Sequence, residues 1–386
     1  MKKILIDAAN INQGGAVQVT LSVIQNASKT KCYQWFLAVS SEIDAQIDVK
    51  IRQSFSEIKV LDAGNLKAKW NNAPLLKAYE KQLAPDLVFS VFGPVYWRPE
   101  TFHVQGFAYS LSLYPFKQWF NTLNPVHSLC DGLRSKFKKI LIAKEGHYIV
   151  ETETLKNRMV SELKMKAEKI FVVQNSVSPV FESLAKKSIV RKKPGIRFFV
   201  PSAYYCHKNL EIVPLVANEL VKKNMKDFKF IFILPPLSQG WANIRRIAQK
   251  LKVWDKMTNL GPLAHKEMAC QYKESDLVFL PTLVETSTAV YPEAFLSRKP
   301  LVTSDRPFAR ELCGNGAAYV NPKDSKQIAE KLLEIMKNKK LQKKMVKNGL
   351  SALKSVYPNP NEKWQSQLKV FANVLREADN GKERNR

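Results

Sequence analysis

The chain has 386 residues, enough for two domains of ordinary size. Hydrophobic residues make up 45% of it and charged residues 25%, which excludes a disordered or fibrous protein. The formal net charge of +27 is compatible with binding to a nucleic acid, binding to an anionic membrane surface, or a lysine-rich proteome. The sequence has no zinc-finger spacing and no aromatic-basic RNA-binding run, so no nucleic-acid partner is predicted.

The chain shows no features of secretion or membrane insertion. Its longest apolar stretch, 228–236, is far shorter than the roughly 20 residues that span a bilayer. The first residues reach Asp7 after only three apolar positions, which predicts a buried strand rather than a signal-peptide core. The five cysteines are scattered, without a CxxC pair, so free thiols and a cytoplasmic location are expected and zinc is not.

Short apolar runs alternate with amphipathic helical patterns along the chain, which predicts parallel sheets with crossover helices. The first series of predicted strands is followed by a polar, basic stretch, and a second series comes after it. The predicted strands are 4–7, 34–39, 58–61, 87–91, 102–107, 148–151, 169–173, 196–201, 228–234, 257–259, 277–281, 301–303 and 318–320.

This pattern predicts an α/β protein with two Rossmann-like, doubly wound domains. The predicted parts are an N-terminal domain at 1–182, a linker at 183–195, a C-terminal domain at 196–357, a last helix at 358–378 and a tail at 379–386. In open parallel sheets, ligands bind beyond the carboxyl ends of the strands. Functional residues are therefore expected directly after strands.

Two glutamates follow the predicted strand 277–281. Glu285 is expected at the mouth of that strand, and Glu293 in the first turn of a helix that starts at Pro292. One carboxylate can accept both hydroxyls of a ribose while the other fixes a transferring sugar. The loop between them can meet a diphosphate with its N–H groups and hydroxyls, and it consists of Thr286, Ser287, Thr288 and Ala289.

A lysine follows the predicted strand 196–201. Asn209 can cap a helix beginning at Leu210, which would place Lys208 beside the helix N-terminus, where a diphosphate is stabilised.

The spacing Glu-x7-Glu in this context resembles the signature of glycosyltransferase family 4, whose members are retaining enzymes of the GT-B fold. The likeness extends to the runs 259–261, 274–276, 298–305, 309–311 and 314–322, and Gly261 belongs to the first of them. The resemblance covers the C-terminal half well and the N-terminal half loosely.

The resemblance implies two domains facing across a cleft, with the last helix returning to the N-terminal domain. By this resemblance, Glu293 would bind the donor ribose and Glu285 would lie beside the donor sugar. Lys208 would bind the phosphates of a nucleotide-diphosphate sugar. The acceptor would be a saccharide or lipid-linked saccharide of surface polysaccharide. The family usually has Gly-Arg where Ser202 and Ala203 stand here, so that arginine is missing or supplied from elsewhere. The 286–289 loop also replaces the family's Gly-Phe-Gly-Leu.

The N-terminal domain is expected to hold the acceptor. Gly14 and Gly15 allow a backbone close to a ligand, as in the family's glycine-rich loop, although turn glycines are nearly as compatible with the sequence. His103, in an apolar strand near many aromatic residues, could contact a sugar or be a satisfied core residue; both interpretations stay open.

Region 114–144 combines basic and aromatic residues. The aromatic part contains Tyr114, Phe116, Trp119 and Phe120, and an apolar helical stripe follows at Leu133, Phe137, Ile140 and Leu141, among Lys117, Arg134, Lys136, Lys138, Lys139 and Lys144. This region predicts either docking on an anionic membrane or a core-packed helix with a solvated basic face.

Two other functions remain compatible with the sequence: a nucleotide-sugar epimerase of the same fold, and a non-catalytic scaffold with a degenerate donor site. Because no Asp-x-Asp lies beside a strand, neither a metal nor any other cofactor is predicted.

Overall fold

The computed structural model describes residues 1–12, 14–142, 146–177, 181–183 and 194–384, without the side chains of residues 265 and 381–384. The chain forms two compact units. The first unit comprises Met1–Leu113, Lys136–Val173 and Asn361–Arg386, and the second comprises Tyr114–Ser135 and Gln174–Pro360.

The first unit contains a seven-stranded parallel sheet of order β3-β2-β1-β4-β5-β6-β7. The central strand β1 buries five of its six residues, as expected for a strand covered on both faces. The strands are β1 Lys3–Ala8, β2 Gln34–Ser40, β3 Glu57–Leu61, β4 Leu87–Gly93, β5 His103–Phe107, β6 His147–Val150 and β7 Ile170–Val172.

Helices cover this sheet. One face packs against the first helix and the last one, through residues such as Ile24 and Phe371, and the other face packs against the helix that carries Leu76 and Tyr79. The helices with residues in this unit are α1 Gly15–Lys29, α2 Ser41–Asp44, α3 Val49–Arg52, α4 Leu66–Leu83, α6 Pro125–Leu141, α7 Glu153–Leu163 and α15 Pro360–Arg384.

The last helix packs on the first unit, in agreement with the expectation that it returns to the N-terminal domain. Trp364 donates a hydrogen bond to Thr30 Oγ1 at 2.9 Å, and His147 Nε2 lies 2.8 Å from Glu377 Oε2. The helix also includes 379–384, which the sequence placed in the tail. Asp379 forms an ion pair with Lys2 at 2.7 Å, so the contacts with the first unit extend into this segment.

The second unit contains a six-stranded parallel sheet of order β10-β9-β8-β11-β12-β13, buried on both faces by two apolar clusters. Its strands are β8 Ile196–Phe199, β9 Phe228–Phe232, β10 Met257–Asn259, β11 Leu277–Leu280, β12 Leu301–Ser304 and β13 Ala317–Val320. The remaining helices are α5 Phe116–Trp119, α8 Ile212–Lys222, α9 Gln239–Lys250, α10 His265–Glu274, α11 Val290–Leu296, α12 Pro307–Cys313, α13 Ser325–Lys337 and α14 Lys339–Val356.

These units differ from the predicted first domain in two segments. The sequence placed all of 1–182 in that domain, whereas Tyr114–Ser135 and the chain from Gln174 onward belong to the second unit. Hydrogen bonds hold Tyr114–Ser135 there: Asn121 donates a buried bond to Glu211 Oε2 at 2.9 Å, and Lys323 donates an exposed bond to the carbonyl of Phe120 at 3.2 Å. Of the predicted linker 183–195, residues 184–193 lie outside the described residues.

Within the described part of the chain, no helix combines the length and the apolar character needed to cross a bilayer.

Candidate functional site

The predicted donor-binding residues follow neighbouring strands of the second unit. Lys208 lies after β8, and Glu285 and Glu293 lie after β11; β8 and β11 are adjacent in the sheet. Because all strands of this sheet are parallel, the segments that follow them leave at the same edge. The residues that the sequence predicted for the donor therefore lie at one edge of the sheet.

Lys208 and Glu285 form an ion pair. The two side chains are only 13% and 11% exposed. The low-dielectric surroundings strengthen the attraction between two charges this buried, but taking them out of water costs free energy. Removing one partner would leave the other charge buried and uncompensated. Lys208 is thus held in place by a carboxylate at the mouth of β11.

The backbone around this pair is also fixed. Leu283 donates from its N–H to the carbonyl of His207 at 2.7 Å, and the Thr282 hydroxyl donates to the same carbonyl at 3.1 Å. The loops after β8 and β11 are therefore joined directly beside Lys208. Burial and the nearby Lys208 charge lower the pKa of His207 to about 3, so its ring is neutral at physiological pH.

The predicted capping role of Asn209 is wrong. The helix begins at Ile212, and Asn209 instead adopts the left-handed conformation with φ 56° at the end of a short 3₁₀ turn, Cys206–Lys208. Asparagine tolerates this conformation better than most residues. Its side-chain amide donates to the carbonyls of Pro281 at 3.2 Å and Pro322 at 2.7 Å. Asn209 therefore joins the ends of three loops and positions Lys208.

Glu293 lies in the first turn of α11, as predicted, although the helix begins at Val290, two residues before Pro292. A proline fits anywhere in the first turn, because the N–H groups there have no partner within the helix. The hydroxyl of fully buried Tyr272 donates to Glu293 Oε2 at 2.8 Å. This bond fixes the orientation of the Glu293 carboxylate.

The loop between the two glutamates is largely buried. Thr286 and Thr288 are 4% and 9% exposed, and Thr288 Oγ1 accepts the N–H of Val290 at 3.3 Å, whereas Ala289 is exposed. The Ser287 hydroxyl is buried and has no hydrogen-bond partner among the described residues. A buried hydroxyl without a partner costs free energy, which a ligand can recover.

Gly261 follows β10 with φ +76°, a conformation that favours glycine. Its N–H donates to Asn259 Oδ1 at 3.3 Å, so the residue closes a tight turn after the strand.

The predicted acceptor residues lie in the first unit. Gly14 has φ +71° and precedes α1, and Gly15 is the first residue of that helix; a Cβ added at either would meet no atom within 4 Å. The turn thus needs a glycine at Gly14 for its backbone, while Gly15 lies beside open space.

His103 lies at the amino end of β5, away from the strand ends where ligands bind in parallel sheets. Its Nε2 is 2.9 Å from Ser90 Oγ, and Ser90 donates to buried Asp7 at 3.0 Å. Burial, and next the charge of His147, lower the pKa of His103 to about 4. This placement favours the satisfied core histidine of the two interpretations.

Arg306 and Tyr272 were not identified from the sequence. Arg306 follows β12, the neighbour of β11, and its Nε donates to the carbonyl of Leu283 at 3.1 Å. Its place directly after a predicted strand could have revealed it. Tyr272, on α10, had no such signal, because its contact with Glu293 depends on the packing of two helices.

Helix α6 exposes its apolar side. Along one stripe, Val126, Leu133 and Ile140 are 72%, 71% and 76% exposed, and Leu129 and Phe137 lie between them at 54% and 42%. The helix residues that are buried are Ser128 and Ser135. The alternative of a core-packed apolar stripe is therefore wrong, because this helix turns its small polar residues inward.

The aromatic residues before α6 are not a uniform surface cluster, contrary to the sequence prediction. Tyr114 and Trp119 are 5% and 1% exposed, since the Trp119 indole donates to the Tyr114 carbonyl at 3.3 Å and its ring packs against Phe116. Phe116 is 39% exposed. Lys144 lies outside the described residues.

Comparison with known proteins shows what the chain is similar to. Residues 181–351 match the family model of glycosyl transferases group 1. The chain is 26% identical to the O-antigen chain mannosyltransferase RfbU of Salmonella typhimurium over 189 residues, which are 49% of this chain and 50% of that protein. The match thus spans about half the length of this curated relative.

Two solved structures share the fold over nearly the whole chain. A glycosyltransferase from Rickettsia africae has a TM-score of 0.68 at 15% identity, with 97% of this chain and 98% of that one covered. HepE of Anabaena, solved with UDP-glucose, has a TM-score of 0.67 at 14% identity, with 97% and 100% covered. The predicted two-domain Rossmann-like fold and the family resemblance are confirmed.

Proposed function

We propose that this chain, whose residues 181–351 match the family model of glycosyl transferases group 1, transfers a sugar from a nucleotide-diphosphate donor to a saccharide or lipid-linked saccharide of surface polysaccharide. The observation that carries the proposal is the group formed by Lys208, Glu285 and Glu293 at the carboxyl edge of the second sheet. The names of the relatives support the substrate class: RfbU acts in O-antigen synthesis, and HepE was solved with UDP-glucose.

In the proposed reaction, Lys208 and Arg306 stabilise the donor diphosphate. They follow strands on the two sides of β11, and Leu283 links them, since its N–H bonds to His207 and its carbonyl accepts Arg306 Nε. Arg306 thereby takes the place of the arginine absent at Ala203. Because two side chains supply the positive charge, no metal is proposed.

Glu293 accepts the ribose hydroxyls, in the orientation that Tyr272 fixes, and Glu285 lies beside the transferred sugar. The bond between the anomeric carbon and the phosphate oxygen breaks, and a bond to the acceptor hydroxyl forms on the same face. The acceptor proton passes to the leaving phosphate oxygen, so configuration is retained. The acceptor site in the first unit, predicted at Gly14 and Gly15, stays a prediction.

The donor site is tested by thermal stabilisation with UDP-, GDP-, ADP- and TDP-linked sugars. One nucleotide class is expected to raise Tm, and Glu293→Ala should weaken its binding by roughly 10- to 100-fold, because hydrogen bonds to a charged carboxylate are lost. Glu334→Ala, which removes a carboxylate on a helix distant in sequence and 52% exposed, should leave the shift unchanged. No shift with any donor would favour the non-catalytic scaffold, and donor turnover without acceptor would favour an epimerase.

We further propose that α6 docks the protein on an anionic membrane, where a lipid-linked acceptor is available. The exposed apolar stripe would enter the headgroup region while Arg134, Lys136 and Lys139 contact lipid phosphates. An apolar stripe this exposed costs free energy in water, which burial among lipids recovers.

The double substitution Leu133→Ser/Ile140→Ser is expected to weaken binding to phosphatidylglycerol vesicles at least about tenfold, since each lost apolar side chain contributes roughly 2 kcal/mol on transfer. Co-sedimentation with vesicles measures this. Leu66→Ser/Leu75→Ser, which changes exposed leucines on α4, serves as the matched control. Equal vesicle binding by both variants and the unmodified protein would rule out docking through α6.

A further inference from the structure

A second basic site lies in the second unit. It is a groove of about 760 Å³ between α14 and the turn that joins α11 to β12. Its lining residues are Asp276, Arg298, Lys299, Pro300, Lys339, Gln342, Lys343, Val346, Lys347, Leu350, Ser351 and Lys354.

The groove is separate from the donor site. Asp276 and Pro300 directly precede β11 and β12, so the groove lies at the amino ends of these strands. Glu285 and Arg306 follow the same two strands and lie at their carboxyl ends. A ligand in the groove would therefore contact none of the proposed donor-binding side chains.

The charge of the groove is strongly unbalanced. Six of its lining residues are basic and one, Asp276, is acidic. Asp276 Oδ2 accepts the backbone N–H of Arg197 at 2.7 Å, which directs this carboxylate towards the start of β8. The lining thus has far more positive charge than its own carboxylate can neutralise.

Helix α14 presents four of its six lysines to the groove as a stripe. The helix contains six lysines and no acidic residue, and Lys339, Lys343 and Lys347 recur at four-residue spacing, with Lys354 two turns further along. At 1.5 Å per residue, the stripe is about 22 Å long. Like charges at this spacing repel and destabilise a helix. Within the described residues, Lys343, Lys347 and Lys354 form no ion pair that would relieve this repulsion.

Arg298 completes the basic lining from the opposite wall. It follows the C-cap of α11 with φ 54°, where glycine is the usual residue. Its N–H donates to Phe295 O, and the next residue, Lys299, donates to Ala294 O, both at 3.0 Å. These two bonds fix the backbone that carries Arg298 at this wall.

We propose that this groove binds a soluble, linear anion that carries several phosphate groups. Each phosphate of such an anion carries at least one negative charge and two or three terminal oxygens, which suits ammonium groups along a 22 Å stripe, the first three about 6 Å apart. A groove with basic residues on two walls suits a narrow anion better than the flat surface of a bilayer. The ligand class is therefore an oligophosphate rather than a membrane surface.

Isothermal titration of the full chain with tripolyphosphate, at physiological ionic strength, tests the proposal. Saturable binding is expected, and Lys343→Gln/Lys347→Gln should raise Kd about tenfold. The matched control is Lys340→Gln/Lys344→Gln, which removes the same charge from the same helix at exposed positions outside the groove. This control should change Kd less than about twofold.

Three results would overturn the proposal. Equal weakening by both lysine pairs would mean that binding reflects net charge alone. Weakening by Lys208→Gln but not by the groove variant would place the anion at the donor site. Loss of phosphatidylglycerol vesicle binding in the groove variant, without any tripolyphosphate binding, would make the groove a membrane contact. Because the proposed donor site is probed separately with Glu293→Ala, failure here leaves that function untouched.

Discussion

Lys208→Gln is expected to lower kcat for sugar transfer by about 10²- to 10³-fold. The ammonium group stabilises the charge that develops on the diphosphate as the sugar leaves, and loss of one such charge-stabilising group has effects of this size. Glutamine keeps much of the length of the side chain but not its charge. Steady-state kinetics with the nucleotide sugar identified by thermal stabilisation measures the effect, and kcat should fall more than KM rises.

The ion pair complicates this experiment, because Lys208→Gln leaves the Glu285 carboxylate buried without its partner. Such a change can cost about 3 to 5 kcal/mol of stability. The double variant Lys208→Gln/Glu285→Gln removes both charges and should recover most of the lost Tm, while its kcat stays low. If the double variant also regained activity, Lys208 would act only by neutralising Glu285, and its proposed role at the diphosphate would be wrong.

The strand positions could be predicted well from the sequence. Each of the thirteen strands in the described part of the chain overlaps a predicted strand, with ends that differ by at most two residues. Parallel strands buried on both faces give continuous apolar runs, and these are visible without any tertiary information. The candidate site residues could be placed at one sheet edge for the same reason, because they directly follow such runs.

The functions of individual side chains were harder to predict. Asn209 precedes a helix, which suggested a cap, but its amide bonds to carbonyls that lie 72 and 113 residues away along the chain. Long-range partners of this kind leave no local pattern. The exposure of the α6 stripe was also invisible, because an amphipathic helix has the same periodicity whether its apolar side packs inward or faces outward.

Arg306 is a candidate replacement for the arginine that is missing at Ala203. The family's arginine after the first strand of this unit is replaced by Ala203, yet a guanidinium group reaches the same sheet edge from the loop after β12. Arg306 donates through Nε to Leu283 O and through Nη1 to Asp305 O, both at 3.1 Å, and its Nη2 has no hydrogen-bond partner among the described residues. That nitrogen is available to a phosphate oxygen.

Arg306→Gln is accordingly expected to lower kcat/KM for the donor by about 100-fold, because the loss of one group that stabilises the developing charge has an effect of about this size. Arg310→Gln is the matched control. Arg310 lies one helical turn further along, is 58% exposed, and pairs with Asp305 through bonds of 2.6 and 2.8 Å, so its loss removes the same charge from the same segment.

The two variants distinguish a phosphate contact from a general effect of charge. If Arg306→Gln weakens donor binding and turnover while Arg310→Gln leaves both within about twofold, the arginine function has moved from the position of Ala203 to the loop after β12. Equal kinetic losses in the two variants would instead indicate that the segment needs positive charge without a specific contact. An unchanged kcat/KM in Arg306→Gln would mean that Lys208 alone holds the diphosphate.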